Sequence, residues 1–185
     1  MLFRSLDVSR PRPAAVARCS PALVSRDVIR LVTAGIPQRE LLVEVTGDVS
    51  LMAAMTPDAL KQVLLNLVQN AREAVAGMTP ASGTRVQIAV SSTPGRVTIA
   101  VEDNGPGVPP GQRDRIFDPF FSTKADLHGV GLGLFVAEGL VRSVGGRLSI
   151  SDAPSGGARF AIELPVAPTG VEGGAARANA DVHAE

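Results

Sequence analysis

The segment TPDALKQVLLNLVQNAREAVAG, residues 56–77, sets the strongest limit on how this chain can fold. Thr56 suits an N-cap, Pro57 the first helical position and Gly77 the stop. At about 100° per residue, Leu60, Val63, Leu64, Leu67, Val68, Ala71 and Val75 fall on one face. A helix with one apolar face needs a second layer to cover it. The rest of the chain offers a sheet. TRVQIAVSST and RVTIAVED alternate as strands and meet at Pro94 and Gly95, a hairpin signal. GRLSISD and ARFAIELP form a second hairpin around residues 154–157. RELLVEVTGD, residues 39–48, also alternates, and VSLMAAM holds a short strand. Two more helices are expected. One covers residues 21–34, opened by Ser20 and Pro21, carried by Leu23, Val24, Val28, Leu31 and Val32, and closed by Gly35. The other covers residues 131–144 and stops at Gly145 and Gly146, and a short helix lies near 111–116. The fold class predicted is α+β, a two-layer α/β sandwich with helices on one face of a mixed sheet.

A length of 185 residues with 45% hydrophobic content is enough for one domain with a full core. Lysine plus arginine equals aspartate plus glutamate, at 18 each, so the balance points to no nucleic-acid partner. Six arginines against two aspartates in residues 1–30, and one arginine against three acids in residues 165–185, read as solvated ends. Cys19 is the one cysteine, which rules out an internal disulfide and suits a reducing, cytoplasmic setting. No apolar run approaches the roughly 18 residues that span a bilayer, and MLFRSLDVSRPRP lacks the pattern of a signal peptide. No direct membrane contact is expected of this chain, and an anchor would lie outside it. RPRP reads as a stiff linker, and the stretch after about residue 166 reads as a disordered tail.

Three places carry possible chemistry. Asn66, Asn70 and Glu73 form a stripe at i, i+4 and i+7 on the long helix, apart from its apolar face. Asparagine is a mediocre helix former, because its side chain competes for backbone bonds. The stripe is either an exposed polar face or a set of oxygens aimed at a hard cation such as Mg²⁺. In VEDNGPGVPPG, a strand runs into Asp103, Asn104, Gly105, Pro106 and Gly107. That is either a tight turn or a carboxylate at a strand end beside glycines that admit a flat ligand. A carboxylate accepts from an exocyclic amine, so adenine suits it. In DPFFSTKADLHGVGLGL, Gly129, Gly131 and Gly133 alternate with apolar residues at a helix start. Free backbone N–H groups and the helix dipole make such a start an anion site. Lys124 adds a mobile positive charge just upstream.

NLVQNAREA, DNGPG, FFSTK and GVGLGL, in that order, resemble the catalytic and ATP-binding domain of bacterial sensor histidine kinases, within the gyrase, Hsp90, histidine kinase and MutL superfamily. The short link from FFSTK to GVGLGL is similar to the nitrogen-regulator type. The resemblance covers residues 14–166, with residues 1–13 as the end of a dimerisation helix plus linker and residues 167–185 as the tail. It implies a Bergerat-type sandwich that binds ATP and Mg²⁺. Asn70 would be the metal ligand, supported by Asn66. Asp103 would take the adenine amine, with Gly105, Gly107 and Val108 lining the pocket. Phe120 and Phe121 would pack near a lid over ATP. Thr123 and Lys124 would approach the phosphates, and Gly129, Gly131, Leu132 and Gly133 would close over them.

The sequence departs from that pattern in places. Glu73 stands where many relatives carry a lysine, and a carboxylate cannot clamp phosphate. Arg72 or Lys124 would then supply the cation, or Glu73 would act near the metal. Only residues 125–128 separate Lys124 from the first glycine, so the lid is short. His128 and His183 are the two histidines, and neither sits in a setting that suits a phosphoacceptor. The resemblance therefore implies transfer of the γ-phosphate to a histidine on a dimerisation domain outside this chain, for relay to a response regulator receiver domain. Superfamily ATPases place a water-activating glutamate where Asn66 stands, and an amide is a poor base. The competing readings are an ATP-binding interaction module without transferase activity and, more distantly, a serine kinase acting on a regulatory partner.

Overall fold

The computed structural model describes residues 17–34, 42–76, 78, 83–122 and 131–168. The elements are α1 (Pro21–Val32), β1 (Leu42–Thr46), α2 (Pro57–Val75), β2 (Arg85–Thr93), β3 (Arg96–Asp103), a 3₁₀ turn (Pro110–Gln112), α3 (Gly133–Ser143), β4 (Arg147–Asp152) and β5 (Ala158–Pro165). The five strands form one sheet in the order β1-β2-β3-β5-β4. β1 runs parallel to β2, and the other pairs are antiparallel. All three helices pack as a layer against the sheet, with α2 in the middle between α1 and α3. The expected α+β two-layer sandwich is the observed one.

The alternation of each strand explains the layering. Val86, Ile88 and Val90 of β2 oppose Asp103, Val101 and Ile99 of β3. Ile99 and Val101 in turn oppose Ile162 and Phe160 of β5. All of these are buried, so one sheet face meets the helices. The other face presents a polar row. In it Gln87 donates to Glu44 at 3.0 Å, and Arg159 pairs with Glu102 at 2.9 Å. On α2 the buried side chains are Leu60, Val63, Leu64, Leu67, Val68, Ala71 and Val75, the face expected from periodicity. Thr56 caps that helix, accepting from the Ala59 amide at 3.3 Å. The β2–β3 turn works because Gly95 takes φ +79° after Pro94, as a type II turn demands.

Five expectations need correction. VSLMAAM forms no strand: Ala53 makes isolated bridges to Cys19 and to Val166. Ser20 is the N-cap residue of α1 as expected, but its side chain makes no cap bond: the hydroxyl donates to the Val49 carbonyl at 2.7 Å. In α1, Ala22, Val24, Ser25 and Val28 are buried, while Leu23 and Leu31 are about half exposed, at 50% and 55%. Val24, Val28 and Val32 of the expected stripe face the core, and Leu23 and Leu31 lie outside it. The short helix expected near residues 111–116 is a 3₁₀ turn of three residues, Pro110–Gln112. Fold continues past residue 166: Ala167 is buried, and its amide donates to the Met52 carbonyl at 2.8 Å. The proposed linker at 1–13, the stop at Gly35 and nearly all of the tail lie outside the described residues. The Cys19 thiol is buried, and desolvation pushes its pKa up to about 11.

Leu64 has no exposed surface and sits where α2 meets the sheet. Leu64→Ala is expected to cost about 2–5 kcal/mol. The check is urea denaturation, where the midpoint should fall with the slope unchanged.

Candidate functional site

Asp103 ends β3 and is 3% exposed. A buried carboxylate must be bonded to be tolerated. Its Oδ1 accepts the Gly105 amide at 2.9 Å and the Ala158 amide at 3.2 Å. Both of these bonds go to Oδ1. Burial pushes the carboxyl above its ordinary range, and the two amides pull it partly back. Asn104, next along, is committed to structure. Its Oδ1 accepts the Arg85 amide at 2.8 Å, and its Nδ2 donates to the Gly83 carbonyl at 2.7 Å.

The glycines here answer to close approach. A Cβ on Gly105 would lie 2.8 Å from Asp103 Oδ1 and 3.2 Å from the Ala74 side chain of α2. Gly157, in the β4–β5 turn, holds φ +80°. A Cβ there would come within 2.7 Å of the Gly105 nitrogen and closer still to the Asp103 carbonyl oxygen. So the tip of the second hairpin rests on the backbone of the first. Reading the sequence missed Gly157. The Gly-Gly pair was legible as a turn, but no local pattern says that the turn abuts a carboxylate far upstream.

The asparagine stripe lies on α2 beside α3. Asn66 is half-buried, and its Nδ2 donates to the Gly133 carbonyl at 2.9 Å. That engages the donor end of the amide and leaves Oδ1 as the atom it can offer. Asn70 is half-buried one turn on. Ala74, another turn on, touches the Asp103 loop. From Asn66 to Ala74 is about 12 Å along the helix axis at 1.5 Å per residue, the scale of a nucleoside triphosphate. Glu73 is exposed, and Gln69 donates to it at 2.7 Å. Arg72 reaches α1: its Nη1 donates to the Val32 carbonyl at the end of that helix, at 3.2 Å.

The phenylalanines meet the start of α3. Gly131 takes φ +70°, and a Cβ there would lie 2.7 Å from the Phe120 carbonyl carbon. The Phe120 amide donates to the Gly131 carbonyl at 3.0 Å. Phe120 itself has φ +65°, a left-handed conformation uncommon for a bulky residue, and is 70% exposed. Phe121 packs against the core, with the Arg115 guanidinium 5.0 Å from its ring centroid. Leu132 is the N-cap of α3, and Gly133 its first residue. Gly107, at φ +72°, and half-buried Val108 line a cavity of about 480 Å³ beside the Asp103 loop. Thr123, Lys124 and Gly129, and with them the expected lid, lie outside the described residues. Among the described residues, no cluster of three His, Cys, Asp or Glu side chains is grouped to hold a metal, and no helix is long and apolar enough to cross a membrane.

Residues 55–168 match the family described as "Histidine kinase-, DNA gyrase B-, and HSP90-like ATPase". Over 83% of its length the chain is 37% identical to "Two-component sensor PprA" of Pseudomonas aeruginosa. Over 75% it is 39% identical to "Sensor histidine kinase ZraS" of Salmonella typhi. It spans 17% and 29% of those two proteins. The catalytic domain of histidine kinase ThkA superposes with a TM-score of 0.69 at 28% identity, covering 82% of this chain and 98% of that one. Fold and relatives together define an ATP-binding module. The chain belongs to the histidine kinase-, gyrase B- and HSP90-like ATPase family, and the relatives it resembles are sensor histidine kinases.

Gly157→Ala is expected to destabilise the domain by about 2 kcal/mol or more, since it adds strain at positive φ to a backbone clash. Thermal unfolding checks this. Asp103→Asn tests the buried charge. The folded carboxyl is lifted above its ordinary value of 3.8. Its contribution to stability is therefore full below that value and lost as pH rises through the lifted one. The stability of Asp103→Asn relative to the parent chain should rise over that window, measured by denaturation from about pH 3.5 to 7.

Proposed function

We propose that this domain binds ATP with Mg²⁺ between α2 and the Asp103 loop and donates the γ-phosphate to a histidine. The buried Asp103 carboxylate carries the reading. Oδ1 is spent on two backbone amides, so Oδ2 is the acceptor left to serve the adenine amine. Asn70 would hold the metal, with Asn66 beside it. Their chemistry fits a hard cation, since both offer amide oxygens and the donor end of Asn66 is already engaged on Gly133. The metal, when bound, neutralises charge on the phosphates. The glycines at the start of α3 would offer backbone N–H groups to the phosphates, and Lys124 a positive charge. Arg72 is tied to α1, which leaves Lys124 as the side chain best suited to replace the absent lysine.

Phosphoryl transfer depends on positioning more than on covalent help from the protein. A neutral histidine nitrogen on a docked dimerisation domain would attack the γ-phosphorus, and ADP would leave. The phosphoryl group would then pass to an aspartate of a response regulator receiver domain. Asn66 favours transfer over hydrolysis: it is an amide, and it is anchored to the α3 backbone. A cytoplasmic setting, in one part of a larger sensor, suits this chemistry. A second reading keeps ATP binding and drops the transfer. Glu73 supports it, since the carboxylate bonded to Gln69 stands where relatives often place a cation.

The test mixes the chain with γ-labelled ATP and a separately produced dimerisation domain bearing the histidine. Acid-labile, base-stable label on that domain is expected. Asn70→Ala should abolish the label and weaken ATP binding at least tenfold, the scale of a lost metal ligand. ATP binding without label at high concentrations of both proteins selects the second reading.

A further inference from the structure

Arg113 was not singled out by any motif, yet it makes two side-chain contacts at the Asp103 loop. Its Nε donates to the Val108 carbonyl at 3.0 Å. Its Nη2 pairs with the Asp152 carboxylate at the end of β4. The Arg113 side chain is 25% exposed and that of Asp152 74%. One guanidinium therefore bridges the loop that follows Asp103 and the hairpin that closes on it. An arginine does this well because its planar fork carries several donors at fixed angles, whereas a lysine is a single point charge.

The bridge spans the cavity lined by Pro106, Gly107, Val108, Arg113, Asp152 and Gly157. Behind it the two segments meet backbone to backbone. A Cβ on Gly107 would lie 3.2 Å from the Gly157 carbonyl oxygen. Asp152 is paired across the ladder with Ala158, whose amide bonds Asp103 Oδ1. Arg113 thus holds, from the outside, the same two segments whose amides hold Asp103 from the inside. An Arg–Asp pair this exposed contributes little to global stability. Its effect is on where the loop sits.

We propose that Arg113, through Asp152, is a positioning residue for nucleotide affinity: it clasps the Asp103 loop against the β4–β5 hairpin and so sets the pocket that receives the adenine end. This rests on the nucleotide reading given above. A clasp on the base end affects every adenine nucleotide alike. A charge that attracted phosphates would affect ATP more than ADP, and ADP more than adenosine.

The experiment uses the full chain and titrates ATP, ADP and adenosine into the parent and into Arg113→Ala, Arg113→Lys, Asp152→Ala and the double alanine variant. Arg113→Ala should weaken all three ligands by a similar factor, roughly 5- to 10-fold, the scale of a charge-assisted bond to a backbone carbonyl. Asp152→Ala should weaken them by a smaller factor. The double variant should be no worse than Arg113→Ala alone, since Asp152 acts through Arg113. Arg113→Lys should not restore affinity. Melting temperatures without nucleotide should stay close to the parent, while the Gly105 and Ala158 amides exchange faster. Parent-like affinity in Arg113→Ala overturns the proposal. So does a loss that grows with phosphate number, or full rescue by lysine. Should Arg113→Ala fail to fold, Asp152→Ala decides, and parent-like affinity there overturns it as well. Asp103→Ala separates the two readings. If it binds ATP normally, the nucleotide assignment fails. If it abolishes binding while Arg113→Ala is silent, the clasp alone fails.

Discussion

The Asp103 carboxylate is the constraint on which the site end of the molecule depends. It is an acid placed out of water, and it survives there because two backbone amides are aimed at one of its oxygens. Those amides come from different segments, so satisfying the carboxylate joins them. Gly105 brings the loop in, Ala158 brings β5 in, and Gly157 lets the turn lie flat on the strand below. A side chain at either glycine would part the segments, and the carboxylate would lose an amide. Burial lifts its pKa, and the two amides offset that lift in part.

The second organising element is α2. Its apolar face closes the core, and its opposite edge carries Asn66, Asn70 and Ala74 at successive turns. One end of that edge meets Gly133 of α3, and the other meets the Asp103 loop. A rigid helix therefore spaces two loop systems that are distant in sequence. Gly131 and Phe120 add a third junction, where the backbone accepts a strained φ so that the phenylalanine pair can lie against the start of α3.

Much of this was legible beforehand, for identifiable reasons. The buried face of α2 was read residue by residue because helical periodicity is contained within the helix itself. Both hairpins were readable from alternation and turn residues. Asp103 and the asparagines stood out as a strand-end carboxylate and a polar helical stripe, and the family resemblance gave them roles. Failures fell where the cause was non-local. VSLMAAM looked like a strand, but only Ala53 makes strand bridges, and its partners come from opposite ends of the described chain. Leu23 and Leu31 fit the apolar periodicity of α1, but only Val24, Val28 and Val32 of that stripe find core to meet. Gly157 and Arg113 act on a loop that no local pattern connects to them.

The bridges at Ala53 carry a mechanical consequence. Residues 17–20 and 165–167 are stitched to the same short stretch, through Cys19, Ala54 and Ala167. That stitch lies at the start of α2, whereas the Asp103 loop touches its far end. At 1.5 Å per residue, the 19 residues of α2 make an arm of about 28 Å. A segment attached on either side of the described fold would grip the domain at one corner. A pull or twist applied there enters the fold at the end of α2 remote from the Asp103 loop.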